Sequence, residues 1–123
     1  MTARSDDQWS AEIYYNDGTK IIFESLGDLL SFYNAPEEYG ATEPQKDRAS
    51  VARTAARDYQ SKQVIDAREA TLVYGSKVQG PMGPDFVAFS KKEDAEAFAA
   101  ANGGRITAFP DVTHQMVKDL RKY

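Results

Sequence analysis

The chain contains no cysteine. Disulfides, thiolate zinc sites and cysteine nucleophiles are excluded together, and the redox compartment cannot be read from the sequence. Histidine is almost missing as well. His114 stands alone, three residues after Asp111 and with no nucleophile in a tight elbow, and it reads as a solvated surface residue rather than half of a catalytic pair. An excess of positive charge is also lacking: the formal net charge is −4, which leaves no basic face for nucleic acid. No apolar run approaches the ~20 residues that span a membrane. The polar opening MTARSDDQ has no apolar h-region of a signal peptide, so the sequence as it stands reads as soluble.

What is present suits one compact unit over residues 1–123. A chain of 123 residues with a 41% hydrophobic share can bury a real core. Trp9 to Tyr15 (WSAEIYY) reads as a strand, Asn16-Asp17-Gly18 as a tight turn, and Lys20 to Phe23 (KIIF) as the returning strand. Ser25, with Asp28 three residues on, starts a helix whose Leu26, Leu29, Leu30 and Tyr33 share one face. Asn34 to Ser50 is polar, carries Pro36 and Pro44, and reads as an exposed connection. Val51 to Asp58 is the next strand, and Ile65 and Ala67 flank Asp66 in a poorly defined bridge.

Thr71 to Tyr74 (TLVY) and Phe86 to Phe89 (FVAF) read as strands, followed by a capping box at Ser90-Lys91-Lys92-Glu93. The helix it opens ends at Asn102-Gly103-Gly104, a left-handed cap signal. Arg105 to Phe109 is a strand, and Asp111 or Thr113 caps a last helix over residues 113–123 with Met116, Val117 and Leu120 as its apolar stripe. Phe23, Asp28 and Phe32 match Phe89, Asp94 and Phe98 at a constant offset of 66 residues. The fold class is therefore α+β: two tandem β-β-α-β units, about 9–58 and 65–109, with mostly antiparallel sheet and a C-terminal helix.

The repeat isolates one feature. The first strand pair closes through Asn16-Asp17-Gly18, whereas the second is joined by the eleven residues Gly75 to Asp85 (GSKVQGPMGPD). Two residues suffice for an antiparallel turn, so the extra length reads as a loop kept for function.

Catalytic readings are poorly supported. Glu37, Glu38 and Glu43 fall in the polar connection without fixed spacing, and Arg48, Arg53, Arg57, Lys62 and Arg68 read as a solvated face among acids. Trp9, Tyr14 and Tyr15 read as core and strand-edge residues. The soft donors left are the thioethers of Met1, Met82 and Met116, and thioether sulfur suits Cu(I). Met116 sits in a helical apolar stripe. Met82 is the methionine whose neighbours do not explain it as packing, although GPMG taken alone is equally well a Gly/Pro turn with an incidental methionine.

The stretch ATLVYGSKVQGPMGPDFVAFSKKEDAEAFAAANGGRITAF resembles the C-terminal half of the nitrous oxide reductase accessory proteins of the NosL type. Their pattern is a strand ending Tyr-Val-x-Gly-Ser, then Gly-Pro-Met-Gly, an apolar strand ending in Phe, an alanine- and phenylalanine-bearing helix, and Gly-Gly. WSAEIYYNDGTKIIFESLGDLLSFY is similar to the family's Trp-x-Ala-x-Ile strand, Asp-Gly turn and phenylalanine before a short helix. ARDYQSKQVIDAREA resembles its Asp-Tyr and Ile-Asp-Ala segment. The resemblance covers nearly the whole chain, in order.

It implies a non-enzymatic copper chaperone, periplasmic and membrane-tethered through an N-terminal lipid anchor. Such a protein binds Cu(I) and hands it to nitrous oxide reductase and its copper-centre assembly machinery. It also implies a fold of paired β-β-α-β units similar to organomercurial lyase, whose chemistry needs cysteines that this chain lacks. Family members carry an N-terminal Cys-Gly-Met. The spacing from Met1 to Trp9 matches the family's spacing from that methionine to its tryptophan, so Met1 corresponds to the third letter. Some members carry a histidine where this sequence has Pro84. The expected metal ligands are thus Met82 and, second, Met1, with Cu(I) held weakly or not at all in the cysteine-free form. The rival expectation is a metal-free interaction module docking through the Gly75–Asp85 loop.

Overall fold

The computed structural model describes residues 9–40, 47–80 and 83–120. At the first turn Gly18 takes a φ of 91°, and Asp17 Oδ1 accepts both the amide and the hydroxyl of Thr19. This folds Ala11–Tyr15 (β1) onto Lys20–Phe23 (β2). Ser25 Oγ accepts the Asp28 amide and caps Leu26–Asn34 (α1), which buries Leu26, Leu29 and Leu30. Val51–Arg57 (β3) returns antiparallel beside β1, and the short Val64–Ile65 (β4) pairs with β3.

The second unit repeats the plan. Thr71–Gly80 (β5) and Gly83–Phe89 (β6) form a hairpin, Lys92–Asn102 (α2) follows, and Arg105–Ala108 (β7) pairs on the free side of β5. The sheets run β2-β1-β3-β4 and β6-β5-β7, so each unit places its first strand centrally. His114–Leu120 (α3) closes the described chain, and the Met116 amide donates to Thr113 Oγ1, which makes Thr113 the cap. No described helix is long and apolar enough to cross a membrane.

The 66-residue offset corresponds to matching geometry. Phe23 and Phe32 have ring centroids 5.6 Å apart at 51°, and Phe89 and Phe98 have theirs 5.3 Å apart at 52°. What differs is the other face of each sheet. The cross-strand pairs Leu72–Ala88 and Tyr74–Phe86 of the second unit stand where the first has Glu12–Ile22 and Tyr14–Lys20. Apolar pairs gain by burial, about 1.5–3 kcal/mol for a fully buried large side chain. Leu72, Phe86 and Ala88 accordingly join Ile13, Leu29, Leu30 and Val117 in one core. Val73, Val87 and Phe89 face Ala95 and Phe98 of α2 in another. The second sheet is thus covered on both faces. The first keeps Tyr14 outward, with the Arg53 guanidinium 4.0 Å from its ring centroid and its hydroxyl donated to Glu12.

Several expectations need correction. Gly75–Asp85 is not a loop. β5 and β6 continue as a ribbon in which Gln79 pairs with Pro84 and Gly80 with Gly83. The capping box at Ser90 does not form: Lys91 occupies the cap position without a side-chain bond, and Ser90 Oγ donates to Asp58 instead. The Asn34–Ser50 connection is partly built in, since Ala35 and Pro36 are buried and Pro36–Tyr39 and Arg48–Ser50 are 3-10 turns. Residues 41–46, including Glu43 and Pro44, lie outside the described residues. Asp66 caps the 3-10 turn Ala67–Glu69, and Phe109 opens another rather than ending β7. Gly103 has the expected positive φ of 76°, but its ψ of −177° is extended rather than left-handed helical.

Candidate functional site

The ribbon is the part of the molecule that departs from its own repeat. β7 pairs with β5 only from Thr71 to Tyr74, so Gly75–Gly80 has β6 as its strand neighbour and extends beyond the three-stranded sheet as an arm. Between the pairs Tyr74–Phe86 and Gln79–Pro84, β5 carries Gly75-Ser76-Lys77-Val78 opposite the single residue Asp85. That bulge bends the arm. Gly75 enters it with a φ of 76°, and Ser76 Oγ accepts the Val78 amide inside it. Beyond it, pairing of Gly80 with Gly83 leaves only Pro81 and Met82 between the strands.

Asp85 is 2% exposed, and a carboxylate that deep needs donors. Its Oδ1 accepts the Phe86 amide at 2.8 Å and, from the other unit, the Gly27 amide at the start of α1 at 2.7 Å. The N-terminus of a helix offers unsatisfied amides and a partial positive charge, which suit an anion. Gly80 lies against this carboxylate. A Cβ placed there would sit 3.2 Å from Asp85 Cβ and 3.2 Å from Trp9 Cε3, so the missing side chain lets the indole lie on the arm.

Trp9 also packs edge-on against Tyr59, with centroids 6.1 Å apart, and Tyr59 in turn contacts Phe98 at 5.1 Å and Phe89 at 6.0 Å. The Tyr59 amide donates to Ala88 O, beside the Asp58–Ala88 bridge that links the units. Burial would raise the Asp58 pKa. Hydrogen bonds from the Ser61 and Ser90 hydroxyls and the Gln60 and Ser90 amides outweigh burial and hold it below the usual carboxylate range.

Of the expected ligands, Met82 and Met1 both lie outside the described residues. Met116 is partly buried against the first core, as its helical stripe predicts. His114 is not a solvated residue: its side chain is 21% exposed, and Nε2 lies 3.5 Å from Glu38 Oε2. Glu38 is therefore not on a spacing-free loop either, since a 3-10 turn holds it. Among the described residues no three His, Asp or Glu side chains converge on a point. Sequence reasoning missed Asp85 and Gly80. The available signal was an acid wedged between Pro84 and the apolar run Phe86–Phe89.

The NosL family model matches residues 1–117. The copper-binding lipoprotein NosL of Stutzerimonas stutzeri is 32% identical over 56 residues, 46% of this chain and 30% of that protein. The protein of the same name from Achromobacter cycloclastes is 44% identical over 54 residues, 43% of this chain and 28% of its own length. The chain thus matches less than a third of the length of these curated relatives. Among solved structures, the crystal structure of the copper chaperone NosL from Shewanella denitrificans matches with a TM-score of 0.73 at 26% identity, covering 93% of this chain and 97% of that one. The solution structure of apo-NosL from Achromobacter cycloclastes matches with a TM-score of 0.61 at 26% identity, covering 87% of each chain. With a family model matched over nearly its whole length, the chain belongs to the NosL family.

Proposed function

We propose that this chain is a copper chaperone that binds Cu(I) through Met82, with Met1 as a second donor, and passes it on for assembly of the copper-sulfur centre of nitrous oxide reductase. The observation that carries the site is the contact between Trp9 and Gly80. Met82 lies two residues beyond Gly80, and Met1 eight residues before Trp9. Eight residues reach at most ~28 Å, so both thioethers are leashed to one contact. A thioether is uncharged and soft, which favours Cu(I) without deprotonation of the ligand. Two such donors hold it loosely, as release to a client requires. Loading and release only exchange the ligands around Cu(I), with no change in its oxidation state and no covalent product, so the proposed role is not enzymatic. The relatives' description as lipoproteins supports a lipid anchor; on this reading the protein works on the periplasmic side and residues 1–123 act as one domain.

The test is competition for Cu(I) with a chromogenic chelator. The cysteine-free chain should compete weakly or not at all, and a form extended by Cys-Gly ahead of Met1 strongly, because a thiolate adds a charged soft donor. Met82→Leu in the extended form should lose at least about tenfold in affinity. It should melt almost as the parent does, since such swaps cost less than ~1.5 kcal/mol even in cores. A large loss of stability with copper binding intact would make Met82 a packing residue. Among the described residues β5 has no second strand neighbour beyond Tyr74, which favours a second reading, a metal-free docking module. That reading gains if the extended form fails to compete while the arm is still needed for client binding.

A further inference from the structure

We infer that Asp85 is the positioning residue that sets the Met82 arm against the first unit. The inference rests on the proposed role of Met82 but has a readout that does not. Met82 is three residues from Asp85 in sequence, and the arm between them is a two-stranded ribbon with a bulge, a combination that twists and bends freely when nothing else holds it. The described structure provides one clamp at its base, with three parts. Asp85 Oδ1 accepts the Gly27 amide of α1 at 2.7 Å, 58 residues away in sequence, and so ties the arm to the other unit. The same oxygen accepts the Phe86 amide at 2.8 Å, which fixes the carboxylate to its own strand. Gly80, paired with Gly83 across the arm, lies between Asp85 and the Trp9 ring. One carboxylate thus ties the helix start to the arm, beside the glycine on which Trp9 packs.

A charge-assisted bond from a helix N-terminus is among the stronger hydrogen bonds. The isosteric amide of Asp85→Asn can still accept from Gly27, but more weakly and without the charge. Asp85→Ala removes the acceptor. The two variants therefore form a graded series on one geometry.

The first readout is amide hydrogen exchange of the metal-free chain. Exchange at Gly27 and at Ser76–Gly80 should accelerate about tenfold in Asp85→Asn and further in Asp85→Ala, while Val73 and Val87 in the shared sheet stay protected. The second is Cu(I) competition in the Cys-Gly-extended form. Asp85→Asn should weaken binding several-fold and Asp85→Ala about tenfold or more. Neither effect should remain in a Met82→Leu background, because the carboxylate acts through that side chain. If Asp85→Ala does not fold, Asp85→Asn carries both comparisons alone. Unchanged exchange in the arm overturns the clamp. An affinity loss that persists undiminished in Met82→Leu overturns positioning of Met82 and leaves Asp85 a general stabiliser. Failure of the extended parent to bind Cu(I) defeats the proposed function, while the exchange data still decide the clamp.

Discussion

Asp58 is a carboxylate at 3% exposure that joins the two units, and its donors come from both. Ser61 Oγ donates at 2.9 Å from its own turn, and Ser90 Oγ at 3.0 Å from beyond β6. The folded pKa is lowered, so the sign of the linkage is fixed. Its contribution to stability is complete above the unfolded value near pH 4 and is lost as pH falls through the lower folded value. Asp17, lowered by its bonds from Thr19, acts in the same direction from the exposed first turn. Melting temperature should therefore fall as pH drops below about 4. Asp58→Asn should be less stable at neutral pH and show a flatter acid limb, and a profile parallel to the parent's would contradict this. Ser90→Ala should cost about 1 kcal/mol in denaturant unfolding, although Ser90 itself is exposed. None of this was legible in Ser90-Lys91-Lys92-Glu93. A capping box and a serine donating to an acid 32 residues away look alike in sequence, and the tertiary partner decides between them. His114 is the same lesson: only the fold brings Glu38 beside it.

At the scale of elements, periodicity and turn chemistry predicted what local forces determine. Asn16-Asp17-Gly18, Ser25 and Thr113 do what their side chains favour, and the strand and helix order of both units follows the apolar pattern. The repeat has energetic consequences that differ between its copies, because Phe89 is fully buried and Phe23 only partly so. Phe89→Ala should cost about 3–5 kcal/mol and Phe23→Ala roughly half as much, and equal losses in urea unfolding would contradict the difference in burial. Gly104 offers a sharper check. Its φ is 104°, and a Cβ would lie 2.8 Å from Tyr74 O at the root of the arm. Gly104→Ala should destabilise by about 1–3 kcal/mol, and an unchanged unfolding midpoint would show that the backbone there can yield. The arm itself was misread as a loop because glycine and proline dominate it. Proline is excluded only from strands that need its amide. β6 is an edge strand, so Pro84 can sit in it, and the glycine at 80 suits a close approach of Trp9.

For the whole molecule, the polar-for-apolar exchange at Glu12 and Lys20 against Leu72 and Phe86 separates the two sheets: the second joins the shared core through this face, while the first sets the buried Glu12 carboxylate beside the Tyr14 hydroxyl. That exchange was present in the sequence, but it has meaning only once strand register is known. The candidate site was legible in a different way. Composition narrowed the soft donors to the methionines, and the order of motifs along the chain pointed to the NosL family. Neither could supply the Trp9–Gly80 contact, which brings two sequence-distant segments to one place.

The central claim is that Met82 and Met1 share a Cu(I) site. Methyl-labelled methionine NMR of the Cys-Gly-extended chain under anaerobic Cu(I) addition tests it most directly, because the packed Met116 serves as an internal control. The account predicts that the Met82 and Met1 methyl resonances shift together with copper and saturate at one equivalent, while the Met116 methyl stays where it was. A Met82 methyl unmoved at saturating Cu(I) would contradict it.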